Sequence, residues 1–189
     1  VERNSVRYAN PGSAVVDHAN TSGLGHAGRP PLVAIYTGHT EREQTQNLAW
    51  STDRGRTWTR HAGNPVLAIG SRQHRDPKGF WFEPTRRWVM VTVLADEHRV
   101  RFDTSPDLSS WTRTSEFGPA GATDGAWECP DLFPLPVDGE PGTVRWVLKV
   151  DVQRGIGAQY FVGEFDGEHF HPDGSVDRVL RVDHGADFY

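Results

Sequence analysis

Cysteine is nearly absent from this sequence. Cys129 stands alone among 189 residues, which excludes an internal disulfide framework. Lysine is almost as scarce, occurring only at Lys78 and Lys149, and a net charge of −5 leaves no basic face for a nucleic-acid backbone. No apolar run approaches the roughly 18 residues of a membrane-crossing helix, so no membrane partner is expected. No signal-peptide pattern opens the chain. Long stretches of helical periodicity are missing too. Aromatic residues, in contrast, are plentiful: seven Trp, nine Phe and four Tyr. Such side chains favour strands and can stack on sugar rings.

The chain repeats itself. Ser51-Thr52-Asp53-Arg54-Gly55-Arg56-Thr57-Trp58 is answered by Ser105-Pro106-Asp107-Leu108-Ser109-Ser110-Trp111 and, more loosely, by Glu164-Phe165-Asp166-Gly167-Glu168-His169-Phe170. Each copy puts Asp in a tight turn, where its carboxylate can accept nearby backbone N–H bonds, and an aromatic soon after. Two strand-like runs precede each turn: Leu32 to Tyr36 and Asn47 to Trp50, Trp88 to Leu94 and Val100 to Phe102, Val144 to Val150 and Gln159 to Val162. A further run opens each unit, at Gly12 to Val16, Phe80 to Phe82 and Asp131 to Leu135. Four strands in roughly 40–50 residues is the signature of a propeller blade. The expected fold is therefore all-β, with blades over about 12–61, 76–114 and 128–171 and the next beginning near Asp187. Closed propellers need about four blades or more. Residues 1–189 are accordingly expected to be an incomplete part of a catalytic propeller domain, truncated at both ends.

In a propeller the first strand of each blade lines the central channel, so residues at one end of successive first strands converge. Asp76 precedes Pro77 and the run at Phe80; Glu128 precedes Pro130 and the run at Asp131. Their separation of 52 residues nearly equals the 53 between Trp58 and Trp111, which predicts equivalent positions in adjacent blades. Paired carboxylates across a pocket are the equipment of glycoside hydrolysis. Arg75 is expected to hold Asp76 ionised. Trp127, Trp81 and Phe82 are expected to take water away from Glu128, which suits a general acid.

Several motifs then coincide. Arg75-Asp76-Pro77-Lys78 before Phe80-Trp81 resembles the Arg-Asp-Pro motif of glycoside hydrolase family 32. Trp127-Glu128-Cys129-Pro130-Asp131-Leu132-Phe133 resembles its acid/base motif. Gly12 to Asp17 with Asn20 to Gly23, and Asp183 to Tyr189, resemble the segments before its second blade and entering its fifth. The resemblance implies a five-bladed propeller in a retaining hydrolase of β-fructofuranosidic bonds, acting on sucrose, levan or inulin. It implies Glu128 as general acid/base and Asp76 as a transition-state stabiliser. It further implies Arg75, Trp127, Ser13 and Asp187 as substrate contacts, with no cofactor and no metal. Such hydrolases are of the secreted type. The family's nucleophile belongs to an Asn-Asp-Pro-Asn-like motif that this sequence lacks, and Asn10-Pro11 replaces its Phe-Ser before Gly12-Ser13. The chain alone is therefore expected to be inactive.

Two other readings stay open on the residues: a furanosidase of a related five-bladed family acting on arabinan or xylan, and a non-catalytic sugar-binding propeller. His169-x-His171 has no third metal ligand at useful spacing. Cys129 reads as a packed, inert thiol.

Overall fold

The structure, a computed structural model, describes residues 8–26, 28–154 and 156–185. Asp187 lies outside them. Among the described residues, twelve strands form three four-stranded antiparallel sheets, each running in simple sequence order. The first holds β1 (Tyr8–Val16), β2 (Leu32–His39), β3 (Gln44–Ser51) and β4 (Thr59–Arg60). The second holds β5 (His74–Phe82), β6 (Arg87–Leu94), β7 (Arg99–Ser105) and β8 (Thr112–Phe117), with one turn of 3-10 helix at Ala95–Glu97. The third holds β9 (Trp127–Pro136), β10 (Val144–Val152), β11 (Gly157–Phe165) and β12 (Phe170–Pro172).

The inner strands pack side by side: β1 lies against β5, and β5 against β9. No comparable packing joins β9 to β1 among the described residues, so the array stays open, an arrangement that fits part of a propeller. Alternation along β6 explains how the middle sheet bonds both neighbours. Trp88 and Met90 enter the core shared with Val33, Ile35 and Leu48 of the first sheet. Val89, Val91 and Val93 point the other way, into the core shared with Leu132, Leu148 and Val150 of the third. At Gly79 the sheets approach so closely that a Cβ would stand 2.5 Å from Ile35 Cδ1.

The Asp turns close as their residue types dictate. Asp53 Oδ1 accepts from the Thr57 N–H at 2.9 Å, Asp107 Oδ1 from Ser109 and Ser110, and Asp166 Oδ1 from Glu168 and His169. The Trp58 indole donates to Gly55 O at 3.0 Å and that of Trp111 to Leu108 O at 2.7 Å, so each tryptophan locks its own turn.

The inner strands begin earlier than the sequence suggests. Both Pro77 and Pro130 lie inside strands, β5 and β9, where a boundary was expected. Each sits in a register shift, between Arg75 and Lys78 and between Glu128 and Asp131, where no ladder N–H is needed.

Phe165 joins the second and third sheets, its ring centroid 5.4–5.6 Å from those of Trp146, Phe82 and Phe102. Phe165→Ala should cost about 3–5 kcal/mol. Chemical denaturation reads this as a lowered midpoint; an unchanged midpoint would show that Phe165 does not hold the two sheets together.

Candidate active site

The site grows out of the interruptions in the inner strands. At the residue before each of Pro77 and Pro130 the backbone turns left-handed, with φ 59° at Asp76 and 44° at Cys129. That conformation is unusual for residues with a side chain and re-aims them relative to plain alternation. Three contacts then cross from β5 to β9, each between residues 53 apart. Arg75 Nη2 donates to Glu128 Oε1 at 3.1 Å, Cys129 N donates to Asp76 Oδ2 at 3.0 Å, and Lys78 Nζ donates to Asp131 Oδ2 at 3.0 Å. The strand position equivalent to Glu128 is therefore Arg75, not Asp76, whose counterpart is Cys129. A one-residue offset would normally send two side chains to opposite faces. Here the left-handed turn brings Asp76 back to the same pocket as Glu128.

Arg75 joins the two acids. Its Nε lies 3.7 Å from Asp76 Oδ2 while Nη2 holds Glu128. All three line a cavity of about 280 Å³ with Asn10, Pro11, Gln44 and Cys129. The acids differ in setting: the Asp76 side chain is 5% exposed, that of Glu128 25%. Burial raises the Asp76 carboxyl above the usual range; the Cys129 N–H and Arg75 pull against that rise, and the Glu128 charge adds to it. Arg75 thus does not outweigh burial, contrary to the sequence expectation. Burial, with the Asp76 charge second, pushes the Cys129 thiol up to about 12, so it stays protonated and unreactive.

Behind Asp76 runs a chain of buried polar groups. Its backbone N–H donates to Thr37 Oγ1 at 2.9 Å, and Thr37 donates to Gln46 Oε1 at 3.2 Å. Gln46 Nε2 donates to His74 O at 2.9 Å, and His74 Nε2 lies 2.9 Å from Thr92 Oγ1. Burial, reinforced by Arg101, lowers the His74 pKa to about 3, so this ring is neutral and structural.

The remaining site candidates separate. Ser13 lines an adjoining cavity of about 440 Å³ with Asp76 and Lys78, and its Oγ accepts from the Gly79 N–H at 2.9 Å. Trp127 does not reach either cavity. It is wholly buried, donates from its indole to Ala122 O at 2.8 Å, and belongs to the core between the second and third sheets. Trp81 and Phe82 also turn away from Glu128, Trp81 packing on Trp88 and Phe82 on Phe165. Thr37, Gln44, Gln46 and His74 went unread in the sequence. The signal for Gln44 and Gln46 was the polar run Gln44-Thr45-Gln46-Asn47 in a strand that is buried throughout those four positions.

Two carboxylates share one arginine in a pocket beside the inner strands, an arrangement that glycoside hydrolysis can use. Comparison with known proteins narrows the class. Residues 3–189 match the glycosyl hydrolases family 32 N-terminal domain, and the chain belongs to that family. It is 51% identical to a levanase of Bacillus subtilis over 185 residues, which are 94% of this chain and 27% of the levanase. The exo-inulinase of Aspergillus awamori has a TM-score of 0.86 at 39% identity, over 94% of this chain and 40% of that one. A fructofuranosidase of Schwanniomyces occidentalis, complexed with fructose, also gives 0.86 at 39%, over 94% and 36%. The chain thus spans well under half the length of these relatives.

Because folding raises the Asp76 pKa, the native protein takes up that proton at a higher pH than the unfolded chain. The burial penalty operates above the raised value and fades as pH falls toward about 4, the ordinary carboxylate range. Asp76→Asn should therefore raise the thermal midpoint at neutral pH, with the gain shrinking on acidification. A lowered midpoint at neutral pH would show that pairing with Arg75 outweighs burial.

Proposed function

We propose that this chain carries part of the active site of a secreted, retaining β-fructofuranosidase that cleaves sucrose or fructans such as levan and inulin. The observation that carries the reading is the Arg75 guanidinium, which gathers Asp76 and Glu128 into one pocket. Relatives named levanase, extracellular exo-inulinase and fructofuranosidase support the substrate class. In this reading residues 1–189 are part of a catalytic domain, and the three sheets are blades of a five-bladed propeller whose remaining blades complete the funnel.

Each residue has a role that its setting suits. Glu128, the more exposed acid, protonates the leaving-group oxygen, and Arg75 Nη2 stabilises the carboxylate left behind. In the second half of the reaction Glu128 takes a proton from the attacking water. Asp76, buried and fixed by the Cys129 N–H, hydrogen-bonds sugar hydroxyls as positive charge develops on the ring. Ser13 and Asp187 are assigned contacts to the sugar. The attacking carboxylate is neither Asp76 nor Glu128, so the 189-residue chain by itself should bind sugar without turning it over. Fructose release by the chain alone would assign the attack to Asp76.

In the complete propeller, Glu128→Gln should lower kcat on sucrose, inulin and levan by about 10²–10⁴-fold, the usual worth of a general acid/base. Fructose affinity measured by calorimetry should change little. Undiminished turnover in this variant would sink the assigned role.

A further inference from the structure

Gln44 opens β3, and plain alternation puts it on the same strand face as Gln46. The two glutamines differ sharply in how their amides are used. Gln46 is satisfied at both ends, accepting from Thr37 and donating to His74 O. Gln44 is 5% exposed and lines the cavity that holds Arg75, Asp76 and Glu128. Its Oε1 is buried from solvent and has no hydrogen-bond partner among the described residues. A buried amide oxygen without a partner is costly, and native interiors rarely keep one without a use. Charge does not explain its placement, since Arg75 is already engaged with Glu128 and Gln73.

We propose that Gln44 is a sugar-recognition residue of this pocket, its side-chain amide turning toward the furanose seated beside Asp76 and Glu128 so that the oxygen, closed to solvent in the structure, accepts from a sugar hydroxyl. The inference rests on the glycosidase reading for its ligand class and extends the binding set to a residue of the first sheet. A site with a buried acceptor discriminates strongly, because a sugar lacking the matching hydroxyl leaves that acceptor alone again.

The test uses the complete propeller. Gln44→Met keeps the length and removes the polar end; Gln44→Asn keeps the amide but withdraws it by one carbon. Fructose affinity is measured by calorimetry in a Glu128→Gln background, where turnover does not interfere. Both variants should weaken fructose binding by about 10-fold or more, the worth of one well-placed hydrogen bond to a buried group. Gln44→Met should hold or raise the denaturation midpoint, because a buried unpaired group is removed. Unchanged affinity in both variants overturns the proposal. A clearly lowered midpoint in Gln44→Met also overturns it, since the amide would then be bonded within the protein. If the complete, unsubstituted protein binds fructose through Gln44 but releases none from any substrate, the glycosidase reading fails and the binding role stands.

Discussion

The innermost strands β1, β5 and β9 each contain a proline, at Pro11, Pro77 and Pro130, and a proline has no N–H to give a ladder. Each proline is accommodated by a break in register against the neighbouring strand. That break does more than tolerate the ring. It lets the chain turn left-handed at Asp76 and Cys129, and so lifts the carboxylate of Asp76 out of the alternation that would have hidden it from Glu128. Without the break, Arg75 and Asp76 would face opposite ways, and no single pocket could hold them both with Glu128.

Such a backbone persists only if its surroundings hold it in place. A non-glycine residue in a sparsely populated conformation costs roughly 1–3 kcal/mol. Both strained residues have their amide N–H groups taken up, by Thr37 Oγ1 at Asp76 and by the Asp76 carboxylate at Cys129. A hydrogen bond to a charged group contributes roughly 1.5–3 kcal/mol and a neutral one about 0.5–1.5. These bonds are of the right size to offset the strain. The chain from Thr37 through Gln46 and His74 to Thr92 then ties the left-handed turn to β2, β3 and β6, so the site is braced from two sheets.

The repeat was legible because its turns are made by local chemistry. Asp53, Asp107 and Asp166 cap nearby N–H groups, Trp58 and Trp111 close on carbonyls three residues back, and no distant residue is needed. The convergence of Asp76 and Glu128 was also legible, although for an inexact reason: their near-equal spacing hid a one-residue offset that the left-handed turn corrects. Pro77 and Pro130 read as strand boundaries because a break in register depends on the partner strand, which a single run of sequence does not contain. Trp127 shows the limit of alternation. Period two says that neighbours in a strand face opposite ways, but not which way is the core, and Trp127 faces the core while Glu128 faces the pocket. The polar run at Gln44 to Asn47 was visible as composition, but His74, which Gln46 bonds, lies far along the chain.

The charge balance of the pocket bears on how it could work. Lys78 with Asp131, and Lys149 with Asp151, are paired nearby, which leaves Arg75 as the cation facing Asp76 and Glu128. One guanidinium compensates one carboxylate. Asp76 is almost fully buried, and the Glu128 charge adds to the rise that burial causes in its carboxyl. Arg75 therefore does more than position Glu128: it is a cation shared by both acids, and it works against the cost of burying Asp76.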